Sequence, residues 1–68
     1  MFRNLIAELA RAGMSIEAFA RALGVSRKTA NNKLNGRTEF TLSEIKKTAA
    51  LFPNISLDYL FQQDKESA

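Results

Sequence analysis

Apolar residues along this chain recur at intervals of three and four, the spacing of one face of an α-helix. Phe2, Leu5, Ile6 and Leu9 fall on one such face. Gly13 follows and ends the first helix, since glycine accepts the left-handed conformation that a helix terminus often needs. Ser15 opens a second helix as an N-cap whose hydroxyl can accept a free backbone N–H. Glu17 in its first turn suits the positive end of the helix dipole. Ile16, Phe19, Ala20 and Leu23 form its apolar stripe. Gly24 breaks the stripe, Val25 plugs the turn, and Ser26 caps a third helix over about Arg27 to Leu34. That helix stops at Asn35-Gly36, a strong turn signal.

The pattern resumes at Thr41-Leu42-Ser43-Glu44, a capping box in which threonine and glutamate satisfy each other's free backbone N–H groups. Leu42, Ile45, Ala49 and Phe52 are the predicted inner face of this fourth helix, and Pro53 forbids its continuation. Ser56 caps a last short helix, Leu57 to about Phe61, with Leu57 and Leu60 facing inward. No strand alternation, repeat or internal linker stands out. The prediction is an all-α domain of five helices over residues 1–61 with one core, followed by a polar tail, 62–68, that frays.

Sixty-eight residues make one small domain with a modest core. There is no cysteine and no histidine. This removes disulfides, thiolate metal sites, a cysteine nucleophile and the commonest general base and metal ligand. With no Gly-rich phosphate loop and no paired carboxylates either, no catalytic residue, metal site or cofactor is expected. No signal segment or long apolar run is present, so a membrane partner is not expected and a cytoplasmic location is.

Charge changes the picture further. The net charge is +3. Residues 1–38 hold seven Lys/Arg against Glu8 and Glu17, whereas residues 39–68 hold three Lys against five acids. Arg27, Lys28, Lys33 and Arg37 lie in one acid-free run. A one-sided basic surface is the footprint of a polyanion partner. Lys46 and Lys47, in mid-helix, read as solvated charges.

Residues 15–36 read as two short helices joined by a tight turn. Such a unit needs a small residue where the helices touch, a glycine at the first turn position and an apolar plug after it. Ala20, Gly24 and Val25 stand at those places, with Phe19, Leu23 and Ala30 as further buried contacts. The second helix then presents its start outward, where it can enter a DNA major groove. Arginine matches guanine O6 and N7, asparagine matches adenine N6 and N7, and lysine serves guanine or phosphate.

On these residues the chain resembles the Cro and lambda-repressor-like helix-turn-helix family, also called the xenobiotic-response-element family. The resemblance rests on residues 15–20, 23–29, Asn35-Gly36 and the closing run Ser56-Leu57-Asp58-Tyr59-Leu60-Phe61. The run from Lys33 to Ile45 looks like phage and prophage regulators of low-GC Gram-positive bacteria. The resemblance implies base reading by Arg27, Lys28 and Asn32, with Asn31 reaching either the backbone or a base. It implies phosphate contact at Ser26 and Asn35, and at Arg37, Thr38 and Thr41, which form the other flank of the groove. Two departures stand out. Ile16 replaces a glutamine that braces phosphate in many relatives, so it reads as core. Lys33 stands where an apolar residue is preferred, so either the helix end is rotated or the lysine stem packs while its amine reaches out.

The function implied is a sequence-specific DNA-binding transcriptional regulator of phage or prophage repressor or Cro-like type. It acts as a homodimer on an inverted repeat in double-stranded DNA, with RNA polymerase or a regulatory protein as a further contact. Its place is the bacterial cytoplasm, or the host cytoplasm if phage-encoded. The alternative is an antitoxin-like or anti-repressor module that holds another protein on the same fold. Tyr59 and Phe61 are either core or part of a subunit patch.

Overall fold

The computed structural model describes residues 1–63. It contains α1 (Arg3–Arg11), α2 (Ile16–Leu23), α3 (Arg27–Leu34), α4 (Leu42–Leu51) and α5 (Leu57–Leu60), with no strand among the described residues. Most of the expected polar tail, residues 64–68, lies outside the described residues.

The predicted caps form. Ser15 Oγ accepts from the Ala18 N–H at 3.0 Å, Ser26 Oγ from Thr29 at 3.1 Å and Ser56 Oγ from Tyr59 at 3.2 Å. Thr41 and Glu44 close the capping box: the Thr41 N–H donates to Glu44 Oε1 at 2.9 Å and the Glu44 N–H to Thr41 Oγ1 at 3.1 Å. The start of α1 has no side-chain cap; the Phe2 N–H instead donates to the Leu34 carbonyl at 2.9 Å, tying α1 to the end of α3.

Gly24 shows why the α2–α3 corner needs glycine. Its φ is +80°, a conformation that costs an L-residue about 1–2 kcal/mol. In that conformation Gly24 N–H reaches Arg21 O at 3.2 Å and Val25 N–H reaches Ala20 O at 3.0 Å, satisfying the last carbonyls of α2. The chain leaves that corner already aimed into α3.

The core joins all five helices: Leu5 and Leu9, then Phe19, Ala20 and Leu23, then Ala30 and Leu34, then Phe52 and Leu60. Ile16 and Val25 pack against it half-buried, so the glutamine-to-isoleucine departure is a core contact. Phe40, from the α3–α4 loop, meets Phe2, Phe61 and Phe19 edge-on at centroid distances of 5.3, 5.0 and 6.5 Å. Each such pair adds about 0.5–1.5 kcal/mol beyond its burial. Phe61 is therefore part of the aromatic core. Tyr59 stays partly exposed, but its hydroxyl donates to Glu8 Oε2 at 3.3 Å and its carbonyl accepts from Asn4 Nδ2 at 2.9 Å, seaming α5 to α1. Arg11 pairs with the same Glu8 carboxylate.

Two inner-face expectations are corrected. Leu42 is 67% exposed; α4 instead buries Glu44 and Thr48, with Ile45 and Ala49 half-buried and Phe52 buried just past its end. The spacing rule counted Leu42 because it is apolar. The capping box and an ion pair described below turn Glu44 inward, and Leu42, one position into the helix, is left at the outer corner. Thr48 tolerates full burial because its hydroxyl donates to the Glu44 carbonyl at 2.8 Å. Leu57 is likewise 40% exposed; a helix of four residues has one inward position per turn, and Leu60 occupies it. Among the described residues, no helix is long and apolar enough to cross a membrane and no cluster of metal-ligating side chains forms.

Candidate nucleic-acid interface

The third helix buries one narrow side, Ala30, Lys33 and Leu34. Ala20 of α2 and Ala30 are both buried, and side chains this small let the two helices approach closely. With that side fixed, Arg27, Lys28 and Asn31 point away from the core. All three are exposed, and together they line an open concavity of about 470 Å³. Asn32, not among its lining residues, is half-buried beside them, and its carbonyl accepts from the Arg37 N–H at 2.9 Å.

The charge at the start of α3 runs against the needs of folding. Helices α2, α4 and α5 each carry an acid in the first turn, namely Glu17, Glu44 and Asp58. The first turns of α1 and α3 have none, and α3 opens with two adjacent exposed cations, Arg27 and Lys28. The N-terminus of a helix bears a partial positive charge, so cations there are disfavoured by a few tenths of a kcal/mol to about 1 kcal/mol each. The same arrangement adds a helix dipole to two cationic side chains on one outward surface. Such a surface attracts an anion.

The flanking residues divide by availability. Arg37 and Thr38 are exposed, while Asn35 is half-buried at the end of α3. Ser26 is exposed, but its hydroxyl accepts from Thr29 N–H and donates to Thr29 Oγ1 at 3.0 Å. It must release that second bond before it can donate to a phosphate. Thr41 is similarly engaged in the capping box, which takes the N–H groups of Thr41 and Glu44 and leaves those of Leu42 and Ser43 outside the pair.

Lys33 departs from both readings of its sequence position. The helix is not rotated, since Ala30 and Leu34 are buried and Arg27 faces out. The lysine stem packs, with the residue only 8% exposed, but its amine turns inward. Nζ lies 2.9 Å from Glu44 Oε1 and donates to the Glu39 carbonyl at 2.9 Å. Burial pushes the Glu44 carboxyl up, but the bond from Lys33, the bond from the Thr41 N–H and the ammonium charge outweigh it. They hold Glu44 below the usual glutamate range. The signal was present in the sequence as a lysine on an apolar stripe; its partner was hidden because the capping box already accounted for Glu44. Lys47 is also not merely solvated, as its Nζ donates to the Leu23 carbonyl at 3.4 Å, at the end of α2.

The family model described as helix-turn-helix matches residues 5–60. Comparison with curated proteins and with solved structures gave no match. The match covers α2 to α5 whole, α1 from Leu5 onward, and the corner at Gly24 that turns α3 outward. The chain belongs to the Cro and lambda-repressor-like helix-turn-helix family and is a DNA-binding transcription regulator of that type.

Proposed function

We propose that α3 reads base edges in the major groove through Arg27, Lys28, Asn31 and Asn32. Arg37, Thr38 and Asn35, with Ser26 and Thr41 on rearrangement of their capping bonds, hold the phosphate backbone on either side. The observation that carries this reading is the pair of exposed cations opening α3, where folding alone would place an acid. An eight-residue helix is about 12 Å long and spans only three or four base pairs. A unique site therefore needs two copies, and a homodimer on an inverted repeat supplies them. The domain measures 34 × 27 × 23 Å. Its longest dimension is of the same order as the roughly 34 Å of one DNA turn, so two copies can lie side by side over adjacent half-sites. Occupying such a site blocks polymerase, the action of a repressor of phage or prophage type working in the cytoplasm.

Selection of bound duplexes from a random pool tests the proposal. The expected product is a site with two-fold symmetry and half-sites about ten base pairs apart, bound with a steep salt dependence. A pool that fails to enrich at low salt overturns it. Enrichment of a single asymmetric half-site overturns the dimer alone.

A further inference from the structure

We propose that Lys33 and Glu44 are positioning residues for DNA contact, their buried pair fixing the 36–41 loop against α3 so that Arg37 and Thr38 engage the backbone in register with Arg27 and Lys28. The inference rests on α3 being the recognition helix.

The 36–41 loop carries the exposed flank, and it is anchored at both ends. At its start, Gly36 N–H donates to Lys33 O at 3.1 Å and Arg37 N–H to Asn32 O at 2.9 Å. At its far end the anchor is the ion pair. Lys33 Nζ holds the Glu39 carbonyl and Glu44 Oε1, each at 2.9 Å, and that same oxygen accepts the Thr41 N–H at 2.9 Å. One lysine of α3 thus grips the loop backbone and the first turn of α4 together. The α3 and α4 helices pack mainly through α2 and the loop, so the pair is a direct bridge between them. Both partners are buried, and neither side chain is on the surface that would meet DNA. Phe40, between the gripped backbone groups of Glu39 and Thr41, sits in the aromatic core and sets the depth of this end of the loop; the ion pair sets where it sits along α3.

A buried ion pair is an expensive way to hold a loop if stability were the only demand. Apolar residues of similar volume are often as good or better for folding. Its two charges are nevertheless kept where a rigid geometry is needed between two DNA-facing segments. A phosphate contact is directional, and a loop free to slide would lose Arg37 as a fixed point while leaving α3 intact.

The test is the double variant Lys33→Met with Glu44→Gln. It removes one charge of each sign, so the net charge stays the same. Methionine keeps an unbranched stem in the packing, and glutamine keeps an oxygen to accept the Thr41 N–H. On the duplex selected by the wild-type chain, the variant should bind about tenfold more weakly, with a log–log salt slope shallower by about one. Its melting temperature should stay within a few degrees of the wild type. Lys33→Arg, which can keep the pair, should retain the wild-type slope. Unchanged affinity and slope in a folded double variant overturn the inference while leaving the DNA-reading role of α3 in place. A loss of affinity that merely tracks lost thermal stability overturns it too. Should the double variant not fold, amide exchange on the wild-type chain decides. The Thr41 amide should be protected at least about tenfold more than a solvated loop amide, and exchange at the free-loop rate overturns the inference. A chain that selects no duplex at all removes the reading on which the inference stands.

Discussion

Replacing Arg27 by alanine separates folding from recognition, because the two should move in opposite directions. Arg27 is exposed and is the first residue of α3, with no acid in the turn to offset it. Its removal takes a cation from the positive end of a helix dipole, a gain of about 0.3–1 kcal/mol. Alanine is also a slightly better helix former than arginine. The Ser26 cap is untouched, since its bonds run to Thr29. The variant should therefore be more stable by roughly 0.5 kcal/mol, or about 2–4 °C in Tm for a domain of this size. Recognition should fall. A bidentate arginine–guanine contact is worth about 1–3 kcal/mol of discrimination, or about five- to 150-fold in affinity for the preferred base. The measurements are a thermal melt followed by circular dichroism, and anisotropy titrations against the selected duplex and its three alternatives at one base pair. A Tm lower by more than about 4 °C would make Arg27 a structural residue. Equal weakening on all four duplexes would make it a phosphate contact. Either result refutes the base-reading argument.

Other perturbations probe the remaining parts. Arg37→Ala should weaken binding to all sequences alike and lower the salt slope by about one, measured by titration from low to moderate salt; a change confined to one base pair would contradict that role. Phe19→Ala empties a fully buried position and should cost about 3–5 kcal/mol. A domain of this length has only about 3–10 kcal/mol in hand, so far-UV circular dichroism at 37 °C should show a large loss of helix. Gly36→Ala and Gly24→Ala both force alanine to a positive φ, +82° and +80°. A Cβ on Gly36 also meets Gln63 Nε2 at 3.2 Å and Met1 N at 3.3 Å, whereas one on Gly24 meets only Lys47 Nζ at 3.9 Å, so Gly36→Ala should melt lower. Because Glu44 is held below the usual glutamate range, its contribution is fully present above the unfolded value, about 4.3, and is lost as pH falls through its folded value. The acid limb of a Tm–pH profile should be flatter in Glu44→Gln than in the wild type.

The sequence reveals the helices well because several local signals agree at each boundary. Ser15, Ser26, Thr41 and Ser56 each announce a cap, and each bond forms. The stripes of α1 and α2 also hold, since Leu5, Leu9, Phe19, Ala20 and Leu23 are all buried. Periodicity fails at α4, where burial is decided by a polar group. Glu44 is drawn inward by Lys33, eleven positions earlier, and no local window contains both. The inward Glu44 then carries Thr48 into the core and leaves Leu42 outside. At the candidate interface, the outward orientation of Arg27, Lys28 and Asn31 on α3 is legible from spacing, whereas Asn32 is half-buried. What spacing cannot show is the state of each polar atom. Ser26 and Thr41 read in the sequence both as caps and as phosphate contacts, and spacing does not show that the Ser26 hydroxyl also donates its proton to Thr29 Oγ1.

The third helix is the element in which local preference and final structure disagree most, and this is the strongest argument that it is kept for something other than folding. Eight residues are too few to hold a helix in water without support. Asn31 and Asn32 are poor helix formers, and Arg27 and Lys28 oppose the dipole. The fold compensates from outside: Ser26 caps the start, Ala30 and Leu34 anchor the buried side, and the Phe2 N–H takes the Leu34 carbonyl at the end. Lys33 adds the bond to Glu44. In α2, by contrast, cap, acid and apolar stripe all favour the helix that forms. A sequence selected for stability alone would resolve the conflict in α3 with an acid near the cap and alanines on the outer face, which cost the core nothing. Those changes would erase the exposed cations and the Asn31 amide while leaving every buried contact in place, so this part of the cost of α3 lies on residues that face outward.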